Sequence, residues 1–412
     1  MIGATGTRIL PVEGEGRGLM DGFRWVFWVS VGSIAYTYAG YPLILAVLAR
    51  LWGRRPTVTA DHLPSVTLLI AAYNERDVIR RKIENSLALD YPRGLLQILI
   101  AADGSSDDTP DLVRGFADRG VELSFSPARR GKVAAINHAM EGARGDIVVF
   151  SDANNDYDRR ALRELVRPFA DAAVGGVVGA KTVAAGDGSL GEVEGLYWRY
   201  ESFIRSRETE LGSCTGAVGE IFAIRRALFE PPPEAIICDD FYIATRLLRG
   251  GHRVIYRPEA RSTERVSPSA EGEVKRRARI VVGRYQAILL AHRLLPFRRP
   301  MLVWQIVSHK FLRPLVPLAM VCAAASNMAL AWSGPPLYRS LLVGQVLFYG
   351  LAEAGRRLGS RRPLGRVLYV PAYLVYSNFA ALAGLFRLLV RRRGMHLWER
   401  VPRRAEPNET TT

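Results

Sequence analysis

The stretch Asp146-Ile147-Val148-Val149-Phe150-Ser151-Asp152-Ala153-Asn154-Asn155-Asp156-Tyr157-Asp158 decides the fold. Its apolar run, Ile147 to Phe150, stops abruptly at Ser151-Asp152 and a series of turn formers. A short β-rich run bounded in this way predicts a buried strand of an α/β sheet. In open α/β sheets ligands lie outside the carboxyl ends of the strands, and Asp152 occupies such an end. A carboxylate there can hold a divalent cation against a phosphate, because hard cations take oxygen ligands. The same residues also read as a polar turn with an acidic helix cap. The neighbouring segments weigh against that simpler reading.

Upstream, strands are predicted over residues 66–72, 96–102 and 121–125, alternating with helices over 76–89, 108–118 and 132–141. Repeated βαβ units with short connections imply an α/β fold: a mostly parallel sheet flanked by helices. Each strand ends in polar or acidic residues: Tyr73-Asn74-Glu75, then Asp103, then Asp152. These ends gather along one edge of the sheet, as in a nucleotide site. Downstream, residues 190–211 form a helix whose aromatic face reads as core packing. Residues 236–241 open a helix that carries Asp239 and Asp240, and residues 271–292 form a strongly basic helix with Arg276, Arg279 and Arg284.

The 412 residues carry 56 Lys+Arg against 40 Asp+Glu, a net charge of +16. Such a surplus suits nucleic acid, anionic lipid or phosphorylated substrates. It is concentrated around uncharged stretches: residues 25–49, 314–338 and 367–386 contain no Asp, Glu, Lys or Arg. Each matches the roughly 20 apolar residues that cross a bilayer as a helix, and 340–352 is a shorter candidate. An integral membrane protein is therefore expected. Nucleic-acid binding is not, since there is no reading helix and no basic strand interleaved with aromatics.

The sequence divides into a disordered N-terminus (1–22), a transmembrane helix (23–52), an α/β domain (64–295), interfacial and transmembrane helices (300–390) and a basic tail (391–412). Within the fourth part, residues 301–313 carry His309, Lys310 and Arg313 and read as an interfacial amphipathic helix. Residues 314–332 and 337–352 form a hairpin of spans, and 367–386 an interfacial or re-entrant segment broken near Pro371. The excess of Arg in short loops favours a multi-pass protein of the inner (plasma) membrane with its α/β domain in the cytoplasm. The spacing of Cys214, Cys238 and Cys322 supports neither disulfides nor zinc, and the six histidines form no metal motif.

Several ordered motifs now add up. The succession Ala71-Ala72-Tyr73-Asn74-Glu75, Asp103-Gly104-Ser105-Ser106-Asp107, Gly131-Lys132, Asp152-Ala153-Asn154 and Asp239-Asp240 resembles the membrane-bound family 2 glycosyltransferases. That group contains the cellulose, chitin and hyaluronan synthases and bacterial exopolysaccharide enzymes. The resemblance covers residues 65–286 and implies a GT-A fold binding a UDP-sugar. By position, Ala71, Tyr73, Glu75 and Asp103 would meet the base and ribose. Lys132 would sit near the diphosphate, Arg276 and Arg279 would bind the diphosphate or a lipid phosphate, and Asp152 with Asn154 would hold a divalent cation, Mg2+ or Mn2+. Asp240, beside Asp239, would be the general base of an inverting transfer.

Two departures matter. The family's common Asp-x-Asp has Asn154 in its second position here, an oxygen ligand without charge. Its Gln-x-x-Arg-Trp is replaced by Arg276-Arg277-Ala278-Arg279-Ile280, so the Trp that would stack on a growing chain is missing. Transfer to a membrane-associated glycan or lipid, in polysaccharide or glycolipid synthesis, is the expected function. Single-sugar transfer to a lipid, and a non-catalytic nucleotide-sugar-binding subunit working with other synthase or export subunits, are the alternatives. The bland readings also stay open: Asp239-Asp240 as an acidic helix start favoured by the dipole, and the 271–292 helix as a basic face lying on anionic headgroups.

Overall fold

Strand β1 (Val66–Ala72) is buried at every residue and lies at the centre of the parallel half of the sheet. Its alternate side chains point to opposite faces, as strand geometry requires. Val66, Leu68 and Ile70 join one apolar core, and Leu69 joins another. Fully burying each Leu or Ile contributes about 1.5–3 kcal/mol, so a charge anywhere in this strand would be incompatible with its place.

The computed structural model describes residues 13–54, 62–184, 188–265, 270–358 and 363–390. In chain order it comprises α1 (Glu13–Ala35), a π-helical turn (Tyr36–Gly40), α2 (Tyr41–Trp52), β1, α3 (Ile79–Leu87), β2 (Leu96–Asp103), α4 (Thr109–Arg114), β3 (Val121–Ser126), α5 (Lys132–Glu141), β4 (Ile147–Asp152) and β5 (Asn155–Tyr157). There follow α6 (Ala161–Val166), β6 (Val174–Val183), α7 (Gly188–Glu210), β7 (Phe222–Arg225), α8 (Asp239–Arg249), β8 (Arg253–Glu264), α9 (Ala270–Leu289) and α10 (Ala291–Leu294). The chain ends with α11 (Pro300–Ile306), a second π-helical turn (Val307–Phe311), α12 (Val316–Ser333), α13 (Pro336–Leu358) and α14 (Pro363–Val390).

The eight strands run in the order β3-β2-β1-β4-β7-β6-β8-β5. The expected βαβ units build the parallel half, in which Ala71 is level with both Ala101 and Asp152. Beyond β4 the sheet becomes mixed, because β7 inserts antiparallel to both β4 and β6. The core on one face takes Ile79 and Ile83 of α3 and Leu162 and Leu165 of α6. The core on the other takes α5 and α8, but also Leu302, Ile306 and Phe311 from the apolar C-terminal region. The sheet is thus packed directly against the beginning of a candidate span.

Among the described residues, two helices are long and apolar enough to cross a membrane, Gly18–Trp52 and Pro300–Trp332. They pack together with α13 and α14: α1 lies on α12, α12 on α13, and α14 on both α13 and α9. Large apolar side chains such as Trp25, Trp52, Val321, Met328, Trp332 and Phe386 remain exposed on this bundle.

Three expectations change. Helix α1 already begins at Glu13, inside the stretch expected to be disordered; once an apolar helix is nucleated, propagation into flanking residues is easy. Residues 1–12 and the basic tail 391–412 lie outside the described residues. Pro371 does not break its segment, since α14 continues through it with neighbouring helices on its flanks. Nor is the 301–313 region a separate interfacial helix. It continues into α12, and His309 and Lys310 are buried against α7 instead of facing headgroups.

Gly145, just before β4, shows how tightly this scaffold is built. A Cβ there would lie 2.3 Å from the Thr67 backbone nitrogen. Gly145→Ala is expected to cost about 1–3 kcal/mol by overpacking, read as a fall of several degrees in the thermal unfolding midpoint. An unchanged midpoint would contradict this close approach.

Candidate functional site

The loops at the carboxyl ends of β1 and β2 are tied to one another. Asn74 has φ 54°, in the left-handed region, a conformation Asn tolerates better than most side chains. Its backbone N–H donates to Ser105 Oγ (3.1 Å), and its Oδ1 accepts from the Ser106 N–H (2.8 Å). The buried Asp103 accepts from the Arg130 N–H (2.8 Å) and the Gly131 N–H (2.7 Å). Gly104 lets that turn approach, since a Cβ would meet the Arg129 nitrogen at 2.7 Å. The Arg129 guanidinium in turn lies 4.2 Å from the centre of the Tyr73 ring. Asp103 therefore fixes the loop that opens α5 and keeps lone-pair capacity for a further donor. Ala71 is buried and shapes the edge through its backbone. Glu75 is also buried, and its N–H donates to Thr109 Oγ1.

At the start of α5, Lys132 reaches across to β4, where its Nζ donates to Asp152 Oδ1 at 2.6 Å. Burial opposes charge on both groups, yet each is held charged by its partners. Lys132 is raised above the usual lysine range by Asp152 and Asp239, and Asp152 is held below the usual carboxylate range by Lys132 and Lys181. Arg279 of α9 adds its positive field to both.

Asp239 and Asp240 open α8, where the helix dipole favours them. Asp240 accepts from the Gly219 N–H (Oδ2, 3.1 Å) and the Phe241 N–H (Oδ1, 2.7 Å). Burial pushes the Asp239 carboxyl upward, against the opposing pull of Lys132. Gly219 links the two halves of the site. A Cβ there would lie 3.5 Å from Asp240 Cβ and 3.6 Å from Lys132 Nζ.

The structure thus brings Lys132, Asp152, Arg279, Asp239 and Asp240 together. Tyr73 and Asp103 lie on the neighbouring strand-end loops. Arg276 pairs with Glu194 of α7 at 2.8 Å and adds its field at Lys181. Asn154 donates through Nδ2 to Glu264 Oε1 (3.1 Å), while its Oδ1 is buried with no hydrogen-bond partner among the described residues.

The sequence reading missed the group behind Asn154. Lys181 of β6 is sandwiched between Glu220 (2.5 Å) and Glu264 of β8, and Ser262 donates to Glu220 (3.0 Å). Its one available signal was a lone Lys in an otherwise uncharged, Gly-rich run. Arg129 and Gly219 were missed as well.

A divalent cation fits the oxygens present. Asp152 supplies a carboxylate, and Asn154 Oδ1 is a buried acceptor whose amide is oriented by Glu264. No group of three His, Cys, Asp or Glu side chains that could cage a metal occurs among the described residues. Two protein oxygens with the remainder from phosphate and water is the usual arrangement for Mg2+, and any such ion shares Asp152 with Lys132.

The chain is similar to known proteins in sequence and in fold. The family model "Glycosyl transferase family 2" matches residues 67–231. The poly-beta-1,6-N-acetyl-D-glucosamine synthase of Staphylococcus aureus (strain MSSA476) is 27% identical over 278 residues, 65% of this chain and 64% of that protein. The match therefore spans just under two thirds of the curated relative's length. The probable glycosyltransferase YdaM of Bacillus subtilis (strain 168) is 26% identical over 243 residues, 55% of this chain and 57% of that one. Among solved structures, the mannosyltransferase PcManGT from Pyrobaculum calidifontis, in complex with GDP-Man and Mn2+, superposes with a TM-score of 0.65 and 26% identity. That superposition covers 87% of this chain and 99% of the mannosyltransferase. The chain carries a family 2 glycosyltransferase domain, and the sheet and helices that hold it have the GT-A fold.

Proposed function

We propose that this protein is an inverting glycosyltransferase. It moves a sugar from a UDP-sugar to a membrane-associated glycan or lipid, in extracellular polysaccharide or glycolipid synthesis. One observation carries the reading: Gly219 packs against both Lys132, which is bound to Asp152, and Asp240. A cation suited to a diphosphate and a carboxylate suited to a hydroxyl thus share one wall.

In this reading Tyr73, Arg129 and Asp103 hold the nucleoside, and Lys132 and Arg279 hold the diphosphate. A divalent ion bound to Asp152 and Asn154 would neutralise charge on the leaving group. The acceptor hydroxyl attacks the anomeric carbon while the bond from that carbon to the diphosphate oxygen breaks. The bonding pair leaves with the diphosphate, and Asp240 takes the hydroxyl proton. Its two backbone N–H donors fix the carboxylate and leave lone pairs for that proton.

The apolar helices Gly18–Trp52 and Pro300–Trp332 anchor the domain at the bilayer. In this account the protein is multi-pass in the plasma membrane and its transferase domain faces the cytoplasm. The synthase relative's name favours an amino sugar and a glycan acceptor. The structural relative's GDP-Man keeps a guanosine-linked donor as the comparison to run beside UDP-sugars.

Purified full-length protein in detergent should release UDP from one of a panel of UDP-sugars, with GDP-mannose run in parallel. Asp240→Asn should lower that rate about 10²–10⁴-fold while UDP binding is retained. An unchanged rate would remove Asp240 as the base. Excess chelator, or Asp152→Asn, should abolish metal-dependent release; full activity in chelator would contradict the ion's role. Arg129→Ala should raise the donor KM with kcat little altered, as expected for lost uniform binding. A fall in kcat alone would place Arg129 elsewhere in the cycle.

A further inference from the structure

A second polar cluster lies between the α/β domain and the apolar helices, where the two π-helical turns meet. Such turns are rare and recur at functional sites. Tyr36 of the first turn hydrogen-bonds Ser308 of the second at 2.7 Å, and the Tyr41 ring stacks on His309. Facing them, α7 contributes two fully buried carboxylates, Glu201 and Glu208.

Glu208 is saturated. Its oxygens accept from Tyr41 (2.6 Å), the Thr215 N–H (2.8 Å), the Thr215 hydroxyl (2.9 Å) and His309 Nδ1 (2.7 Å). Glu201 meets Arg205 (3.3 Å), Lys310 (3.4 Å), His309 Nε2 (3.3 Å) and Arg313. Arg284 of α9 lies over the Phe241 ring at 4.8 Å and adds its field at Lys310, together with Arg205 and Arg313. Four cations therefore share two carboxylates, Glu201 and Glu208.

Their hydrogen-bonding capacity is also unspent. Arg205 Nε, Arg284 Nη1, Arg313 Nε and Nη2, and the neighbouring Trp198 Nε1 are buried with no acceptor among the described residues. Burying cations in excess of their counter-charges is costly. Guanidinium groups with free N–H are the side chains best shaped for phosphate oxygens.

The segment that carries Gly219 also lines this cluster. A Cβ on Gly216 would lie 2.7 Å from Lys310 Nζ and 3.5 Å from Arg205 Nε. Three residues of chain span at most about 11 Å, so the cluster is within reach of a molecule seated at Asp240. We propose that Arg205, Arg284, Lys310 and Arg313 form a buried binding site for a phosphate group, carried into the site on the acceptor or on a lipid. The link to an acceptor rests on the transferase reading above; the anion site itself does not.

The test uses the full-length protein in uncharged detergent, following its thermal midpoint at constant ionic strength. The probes are inorganic phosphate and decyl phosphate, with decyl maltoside as the uncharged control. A ligand that binds the folded state raises the midpoint in a concentration-dependent way. Decyl phosphate alone raising it would identify a lipid-borne phosphate; inorganic phosphate doing so as well would show that the free group suffices. Arg284→Gln, which leaves no carboxylate without its partner, should weaken the response about tenfold or more, and Lys310→Gln should do the same. No response to either phosphate, or variants that respond like wild type, would overturn the site. UDP binding measured on the same samples separates the outcomes. If it is retained without a phosphate response, this site alone fails. If a phosphate response persists without UDP-sugar turnover, the transferase reading fails and the anion site stands.

Discussion

Everything at the candidate site depends on the parallel registration of β1 with β2 and β4. Ala71 lies level with Ala101 and Asp152, and Ala72 with Ala102. Parallel strands that end at one level must turn on the same side of the sheet. This brings Asn74, Asp103 and Asp152 to a single edge although they are far apart in sequence. Before those ends the strands contribute mainly apolar burial, with Thr67 of β1 donating to Gln97 of β2 at 2.7 Å. Chemistry is confined to the residue at which each strand stops.

The edge is then stiffened by buried hydrogen bonds with defined partners. Asp103 clamps the turn before α5, and that turn aims Lys132 at Asp152. From the opposite side, the Cys214–Glu220 segment is pinned to Glu208 through Thr215 and to Asp240 at Gly219, and at Gly216 it runs close beside Lys310. Glu220 meets Lys181, which also binds Glu264, the partner of Asn154. Strand ends, α8 and the apolar helix Pro300–Trp332 are consequently linked by direct contacts. A rearrangement of that helix cannot leave the wall beside Asp240 unaffected.

The parallel half of the fold was legible because its signals are local. β1 and α5 lie over the residues expected, and β2 and β3 each extend one residue further. β6, β7 and β8 went unread. Gly175, Gly176 and Gly179 interrupt the pattern of β6, β7 is only four residues long, and β8 alternates poorly with Arg, Glu and Ser. Lys181, Glu220 and Glu264 therefore looked like unrelated charges. Their pairing exists only once the strands stand side by side.

The 301–313 region failed for a related reason. Periodicity identifies a polar face but not what covers it, and here Glu201 and Glu208 cover it where headgroups were expected. Asp152, Lys132 and Asp240 were named by ordered motifs, and the fold brings them to one wall. Arg129 and Gly219 act through placement alone, which no motif records.

The most direct test follows the anomeric proton of freshly formed product by NMR, using the purified protein, an α-linked UDP-sugar and a glycan or lipid acceptor. A single displacement driven by one carboxylate predicts a β-linked product from the first turnover. An α-linked product, or no transfer from any nucleotide sugar while UDP still binds, would contradict the account.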